Sequence, residues 1–229
     1  MTADASGARD GPRLVLLGKQ GAGKGTQATR LAERYSVPHV ATGDLLRAAA
    51  KQGTKFGLEA EGYMNTGDLV PDETVVGVVD EQCASGAFDH GFVLDGFPRT
   101  EYQAVELDRI LDAVPLDVVI ALDVPTEIAL VRLAGRRVCE DCGAPYHVDH
   151  PPKVNWTCDT CGGKVSQRED DTEAAIERRL ELYEREMLPI IQYYRRARRL
   201  LVVKGVGTGD EVYARLVVAI TGGIPRDLT

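Results

Sequence analysis

Gly18-Lys19-Gln20-Gly21-Ala22-Gly23-Lys24-Gly25-Thr26 follows directly on the apolar run Leu14-Val15-Leu16-Leu17. A strand that empties into a glycine-rich turn carrying one lysine is the sequence form of a phosphate cradle. Glycines let successive backbone N–H groups point into one concavity. The helix expected next turns its positive N-terminal end toward the same anion. Lys24 adds a mobile charge for the outer phosphates, and the Thr26 hydroxyl can face a magnesium ion. The general pattern sets the hydroxyl residue directly after the lysine, whereas here Gly25 intervenes. An ordinary glycine-rich turn explains the strand–loop–helix setting less well.

Outward from this loop, apolar runs alternate with amphipathic segments. Strands are expected at Arg13–Leu17, His39–Ala41, Phe92–Leu94, Val118–Asp123 and Leu200–Lys204. Helices are expected at Gly25–Tyr35, Gly43–Gln52, Asp72–Ser85, Thr100–Ala113 and Thr126–Ala134. Short strands separated by helices predict an α/β fold, a central parallel sheet flanked by helices. Val118-Val119-Ile120-Ala121-Leu122 lacks period-two alternation and fits a sheet covered on both faces. Residues 53–70, with little strand pattern, read as a small helical excursion. From Thr172 onward, Ile176, Leu180, Tyr183, Met187, Ile190, Ile191 and Tyr194 form a helical stripe. Asp171 or Thr172 caps its start, Pro189 should kink it, and its Met and Tyr members read as core.

The 229-residue chain can bury one good core. Its net charge of −8 argues against nonspecific nucleic-acid binding. Arginines nevertheless cluster at Arg136/Arg137, Arg178/Arg179 and Arg195–Arg199, which suits a small polyanionic ligand. No apolar stretch reaches membrane-spanning length. Residues 1–12 read as a disordered extension without the apolar core of a signal peptide. A cytoplasmic monomer is expected, with small-molecule partners and neither nucleic acid nor membrane.

Cys139-x2-Cys142 and Cys158-x2-Cys161 are two knuckles separated by 15 residues. That spacing is a strong signature of a closed tetrahedral metal site, so structural zinc is expected. Paired disulfides conflict with a cytosolic setting, and a redox centre needs no second pair. Cys83 reads as a small buried hydrophobe.

Two further constellations carry charge at strand ends. Asp95-Gly96-Phe97-Pro98-Arg99 follows a strand, where open sheets bind ligands. Asp95 can hold magnesium through water, and Arg99 stands beside it to meet a phosphate. In Thr42-Gly43-Asp44-Leu45-Leu46-Arg47, Arg47 sits one helical turn on, within reach of an anion. Thr42 taken alone reads equally well as a helix cap.

The loop, the Thr42–Arg47 and Asp95–Thr100 segments and Gly135-Arg136-Arg137 stand in the order and spacing of adenylate kinases. The chain resembles the bacterial long form with a four-cysteine lid, roughly from Arg13 to Val217. The Gly25-Thr26 displacement is the nucleoside-monophosphate-kinase variant of the loop.

That resemblance implies reversible phosphoryl transfer from Mg-ATP to AMP, giving two ADP. It implies one kinase domain over residues 13–229, with an AMP-binding segment near 41–70 and a lid near 135–172. By position, Gly21, Ala22, Gly23, Lys24, Gly25 and Thr26 would bind the ATP phosphates. Arg132, Arg136, Pro145, Tyr146 and Gly205 would complete the ATP side. AMP would meet Thr42, Arg47, Met64, Asp68, Leu69, Val70, Gly96 and Arg99, with Gln103 reading the adenine edge. Arg168 and Arg179 would bridge the phosphate chains, and Asp170 and Asp171 would lie nearby in the lid. Catalysis would rest on Lys24, Asp95, Arg99, Arg136, Arg168 and Arg179. Gln20 stands where the family often has proline, and Lys204 where an acidic residue is usual, which weakens the Gly205 assignment. The alternatives are a kinase for UMP or CMP, and a nonenzymatic nucleotide-sensing or zinc-dependent binding module.

Overall fold

The computed structural model describes residues 11–86 and 88–223; most of the extension expected at 1–12 lies outside them. In chain order the elements are β1 (Arg13–Gly18), α1 (Lys24–Tyr35), β2 (His39–Ala41), α2 (Thr42–Lys51), α3 (Lys55–Thr66) and α4 (Asp72–Ala84). β3 (Phe92–Asp95), α5 (Glu101–Ile110), β4 (Val118–Asp123) and α6 (Thr126–Ala134) follow. Then come β5 (Arg136–Cys139), β6 (Pro145–His147), β7 (Val165–Ser166), α7 (Glu173–Arg196), β8 (Leu200–Lys204) and α8 (Gly209–Gly223).

Five strands form one parallel sheet in the order β2-β3-β1-β4-β8. Its central strands are apolar on both faces because helices cover both. Val15 and Leu17 join one core with Phe92, Leu94, Phe97, Leu107 and Tyr194. Leu14 and Leu16 point the other way, into a second core with Leu31, Ile120, Leu216 and Ile220. The residues of β1 therefore alternate between two apolar environments, which explains why no polar alternation is seen in the sequence. The expected strands are all present, β1 and β3 each one residue longer than expected.

Register sets the functional edge. Leu16 and Ala41 both pair with Asp95, and Gly18 pairs with Leu122. The carboxyl ends of β1, β2 and β3 thus converge, bringing the glycine-rich loop, Thr42 and Asp95 to one rim. The helical excursion is α3, whose Thr54 cap accepts from Gly57 N at 3.0 Å. It ends at Gly67 (φ 81°), where a β-carbon would stand 2.5 Å from the Ala175 carbonyl oxygen of α7. Only glycine lets those two backbones approach so closely. Thr172, not Asp171, caps α7, accepting from Ala175 N at 3.2 Å.

Four elements were not anticipated from the sequence: the three strands of the antiparallel sheet β6-β5-β7, and α8. Cys83 is only partly buried, packed against the first core from α4. Among the described residues no helix is long and apolar enough to cross a membrane. Leu94 is fully buried in β3, so Leu94→Ala should cost about 2–5 kcal/mol of unfolding free energy. A urea titration with an unchanged slope would measure it.

Candidate active site

The loop between β1 and α1 curls back on itself. Ala22 N donates to the Lys19 carbonyl at 3.1 Å, and Gly21 and Gly23 both take positive φ. A β-carbon at Gly21 would come within 2.5 Å of the Ala129 carbonyl oxygen, so this turn also requires glycine. Lys24 folds over the loop, donating to the Gly18 and Lys19 carbonyls at 2.8 and 3.1 Å. Lost hydration pushes its ammonium down to about 8; Arg99 and Arg136 push the same way, against the opposing pull of Asp95. An anion arriving here would relieve that depression.

Asp95 lies at the end of β3, with its Oδ2 3.9 Å from His39 Nε2. Burial alone would raise its carboxyl, but His39 and Lys24 outweigh it and hold Asp95 ionised. The Thr42 hydroxyl donates to the Asp95 carbonyl at 3.4 Å, and Ala41 is the cap of α2. Thr42 is therefore part of the rim and not a helix cap. Arg99 stands at the mouth, its Nε donating to the Gly96 carbonyl at 2.8 Å.

More cations arrive from elsewhere in the chain. Arg136, the first residue of β5, makes a two-pronged ion pair with Asp171, whose side chain is fully buried. Arg179, from α7, reaches Asp170 at 2.6 Å and Asp171 at 3.4 Å. Arg47 of α2 lies 3.8 Å from Asp170 and pairs closely with Asp44. Arg168 reaches the same Asp44 at 3.4 Å. Lost hydration, together with Arg47 and Arg136, lowers the Arg168 guanidinium to about 10. Burial would raise Asp170, but Arg179 and Arg47 hold it low. Carboxylates and guanidiniums here form one linked network of ion pairs.

Below them opens a cleft of about 670 Å³, continuous with solvent. Gly18, Gln20, Lys24, Gly96, Arg99 and Arg179 supply its polar wall, and Leu69, Phe97, Leu182 and Met187 its apolar one. Tyr183 and Met187, expected only in the core, line this cleft.

Other expected site residues are engaged differently. Arg132 donates to the Gly205 carbonyl at 3.2 Å and the Ala22 carbonyl at 3.4 Å, tying the loop to the end of β8. The Met64 carbonyl accepts from Arg179 at 2.6 Å, and Asp68 pairs with Arg178 at 2.9 Å. Val70 is buried in the first core. The Gln103 amide receives Arg99 N at 2.7 Å and donates to Asp72 at 2.7 Å, leaving one N–H and one lone pair for a ligand. Pro145 is exposed, and the Tyr146 hydroxyl donates to Cys158 Sγ at 3.4 Å, away from the cleft.

The four knuckle cysteines gather with all sulfurs within 4.8 Å of one another. Cys139 and Cys161 are 3.4 Å apart, and Cys142 and Cys158 3.6 Å. No disulfide joins them. Zinc–sulfur bonds of about 2.3 Å set tetrahedral sulfur–sulfur edges near ~3.8 Å, so the cluster fits structural zinc. The apolar core around it is small, comprising Cys139, Cys158 and Val165, with Ala144 and Tyr146 packed alongside. His39, the Gln20 side chain and the α7 lining were not picked out from the sequence. Only Gln20 gave a signal, as a polar residue inside a loop where proline is common.

The family model for adenylate kinase matches residues 16–199. The chain belongs to the adenylate kinase family. Its relatives include an adenylate kinase of Thermodesulfovibrio yellowstonii, 49% identical over 204 residues, covering 88% of this chain and 95% of that one. One from Syntrophobacter fumaroxidans is 47% identical, covering 91% and 99%. One from Clostridium botulinum is 46% identical, covering 89% and 96%. This adenylate kinase family member is a phosphotransferase acting on nucleoside monophosphates, with Mg2+ accompanying ATP and the cysteines suited to zinc.

Chelation should release about one equivalent of zinc and unfasten residues 139–166 while the five-stranded sheet persists. Hydrogen exchange should show fast amides confined to β5, β6 and β7.

Proposed function

We propose that the cleft binds ATP and AMP end to end and moves the terminal phosphoryl group between them, giving two ADP. The observation that carries this reading is the convergence of Arg136, Arg179, Arg47 and Arg168, linked through Asp44, Asp170 and Asp171, on the cleft beside Lys24. Phosphoryl transfer needs little covalent help from protein, since its transition state spreads charge over three equatorial oxygens. Fixed cations around that point, in a site closed to water, supply most of the stabilisation.

On this reading residues 21–26 cradle the ATP phosphates, with Lys24 on the outer ones. Arg132, Arg136, Pro145 and Tyr146 of β6, and Gly205 after β8 enclose the ATP side. Thr42, Arg47, Met64, Leu69, Val70, Gly96, Arg99 and Gln103 form the AMP side, with Asp68 fixing α3 against α7. Arg168 and Arg179 span both phosphate chains. Asp95 and Thr26 would hold the magnesium that accompanies ATP, which would supply charge neutralisation at the phosphates. Asp170 and Asp171 align the arginines until phosphates replace them. Residues 41–70 form a mobile AMP-binding segment, 135–172 a lid stiffened by zinc, and 13–229 one domain. The enzyme works as a cytoplasmic monomer on nucleotides alone, without nucleic acid or membrane.

Offering AMP, UMP, CMP and GMP with Mg-ATP in a coupled assay should show clear preference for AMP; preference for a pyrimidine nucleotide would overturn the assignment. Lys24→Met should lower kcat/KM at least about 100-fold with the fold retained, since a preorganised charge on the transition state is lost. The pH profile follows from the lowered Lys24 pKa. The ammonium is charged below about 8 and loses its proton above it, so kcat/KM for ATP should be flat below that value and fall above it.

A further inference from the structure

We propose that Gln20 is a positioning residue for phosphoryl transfer, a neutral acceptor that aligns Arg136 and Arg179 without cancelling their charge. The proposal rests on the phosphoryl-transfer reading above. Gln20 is half-buried in the glycine-rich loop, and its side chain lines the cleft beside Lys24, Gly96, Arg99 and Arg179. With its amide oxygen turned to the arginines, it accepts from Arg136 Nη2 at 3.2 Å and Arg179 Nη1 at 3.1 Å. The same two guanidiniums meet the Asp171 carboxylate, Arg136 through Nε and Nη2 and Arg179 through the Nη1 that also faces Gln20. The amide and Asp171 thus hold the pair together, one from the loop and one from the segment before α7.

The chemistry of the acceptor matters. A guanidinium presents planar, directional N–H groups, and fixing two of them restricts where the rest point. Asp170 and Asp171 already set two carboxylates against these arginines. A third would compete with phosphate for the same donors and cancel the positive field. Proline or alanine would offer no acceptor. An amide orients the donors yet leaves the positive charge available to phosphate. It also links the loop holding one phosphate chain to Arg136 on β5 and Arg179 on α7, three parts of the chain far apart in sequence.

Gln20→Ala and Gln20→Glu separate this role from simple packing. The transfer step is followed in single-turnover quench-flow with saturating Mg-ATP and AMP, and nucleotide affinities by titration. Gln20→Ala should slow transfer about tenfold, as expected for losing a hydrogen bond to a charged group, while nucleotide Kd values stay within about twofold. Gln20→Glu should instead raise the KM of both nucleotides more than about fivefold, an effect that added salt weakens. Wild-type transfer by Gln20→Ala, or a Gln20→Glu enzyme matching Gln20→Ala in both constants, would overturn the proposal. Wild-type protein in the same experiment distinguishes the two readings: if it makes no ADP the activity itself fails, whereas normal transfer by both wild type and Gln20→Ala defeats the Gln20 role alone.

Discussion

Positive charge crowded into a half-desolvated cleft is the constraint on which this molecule depends. Lys24, Arg99, Arg136, Arg168 and Arg179 repel one another, and each loses hydration where it stands. Lost solvent and neighbouring arginines depress both Lys24 and Arg168. Left alone, such a cluster would open or give up protons. Asp95, Asp170 and Asp171 prevent that, and a polyphosphate would serve better than any of them. The site is complementary to an anion it does not itself contain.

The parallel sheet makes that crowding possible. Strands running the same way bring their carboxyl ends to a single rim, so Gly18, Ala41 and Asp95 become neighbours although far apart in sequence. Two apolar cores, one on each face, hold the rim rigid. The remaining cations come from α2, from β5 and from the start of α7, which touch across the cleft through Asp44, Asp170 and Asp171. A stiff rim and an opposing set of arginines on separate supports can close around a ligand. Substrate thereby contributes energy to assembling its own site.

Most of the sheet was legible because buried parallel strands are continuous apolar runs with helical segments between them. The glycine-rich loop and Asp95–Arg99 were legible because phosphate chemistry demands those residue types in that order. The antiparallel strands β5, β6 and β7 were not, since strands of two to four residues held beside a metal show no hydrophobic period. α8 was missed although its signals were present: Val212, Leu216 and Ile220 form a buried i, i+4 stripe, and a Thr208–Glu211 capping box follows Gly205 and Gly207. Side-chain commitments were the least legible. That Gln103 would be held by Asp72, or that Tyr146 would turn toward Cys158, depends on neighbours distant in sequence.

The cysteine cluster bears on how such a protein can diverge. Residues 139–166 owe their shape to four sulfur atoms and a very small apolar cluster. A core of many side chains tolerates drift one residue at a time, whereas a tetrahedral thiolate set does not. Losing one ligand leaves the tetrahedron incomplete, so a single replacement weakens the hold of all four positions on the metal. Descendants that abandon the metal need another source of cohesion there, because the apolar cluster is so small. Intermediates between those two solutions should be scarce in lineages of this fold.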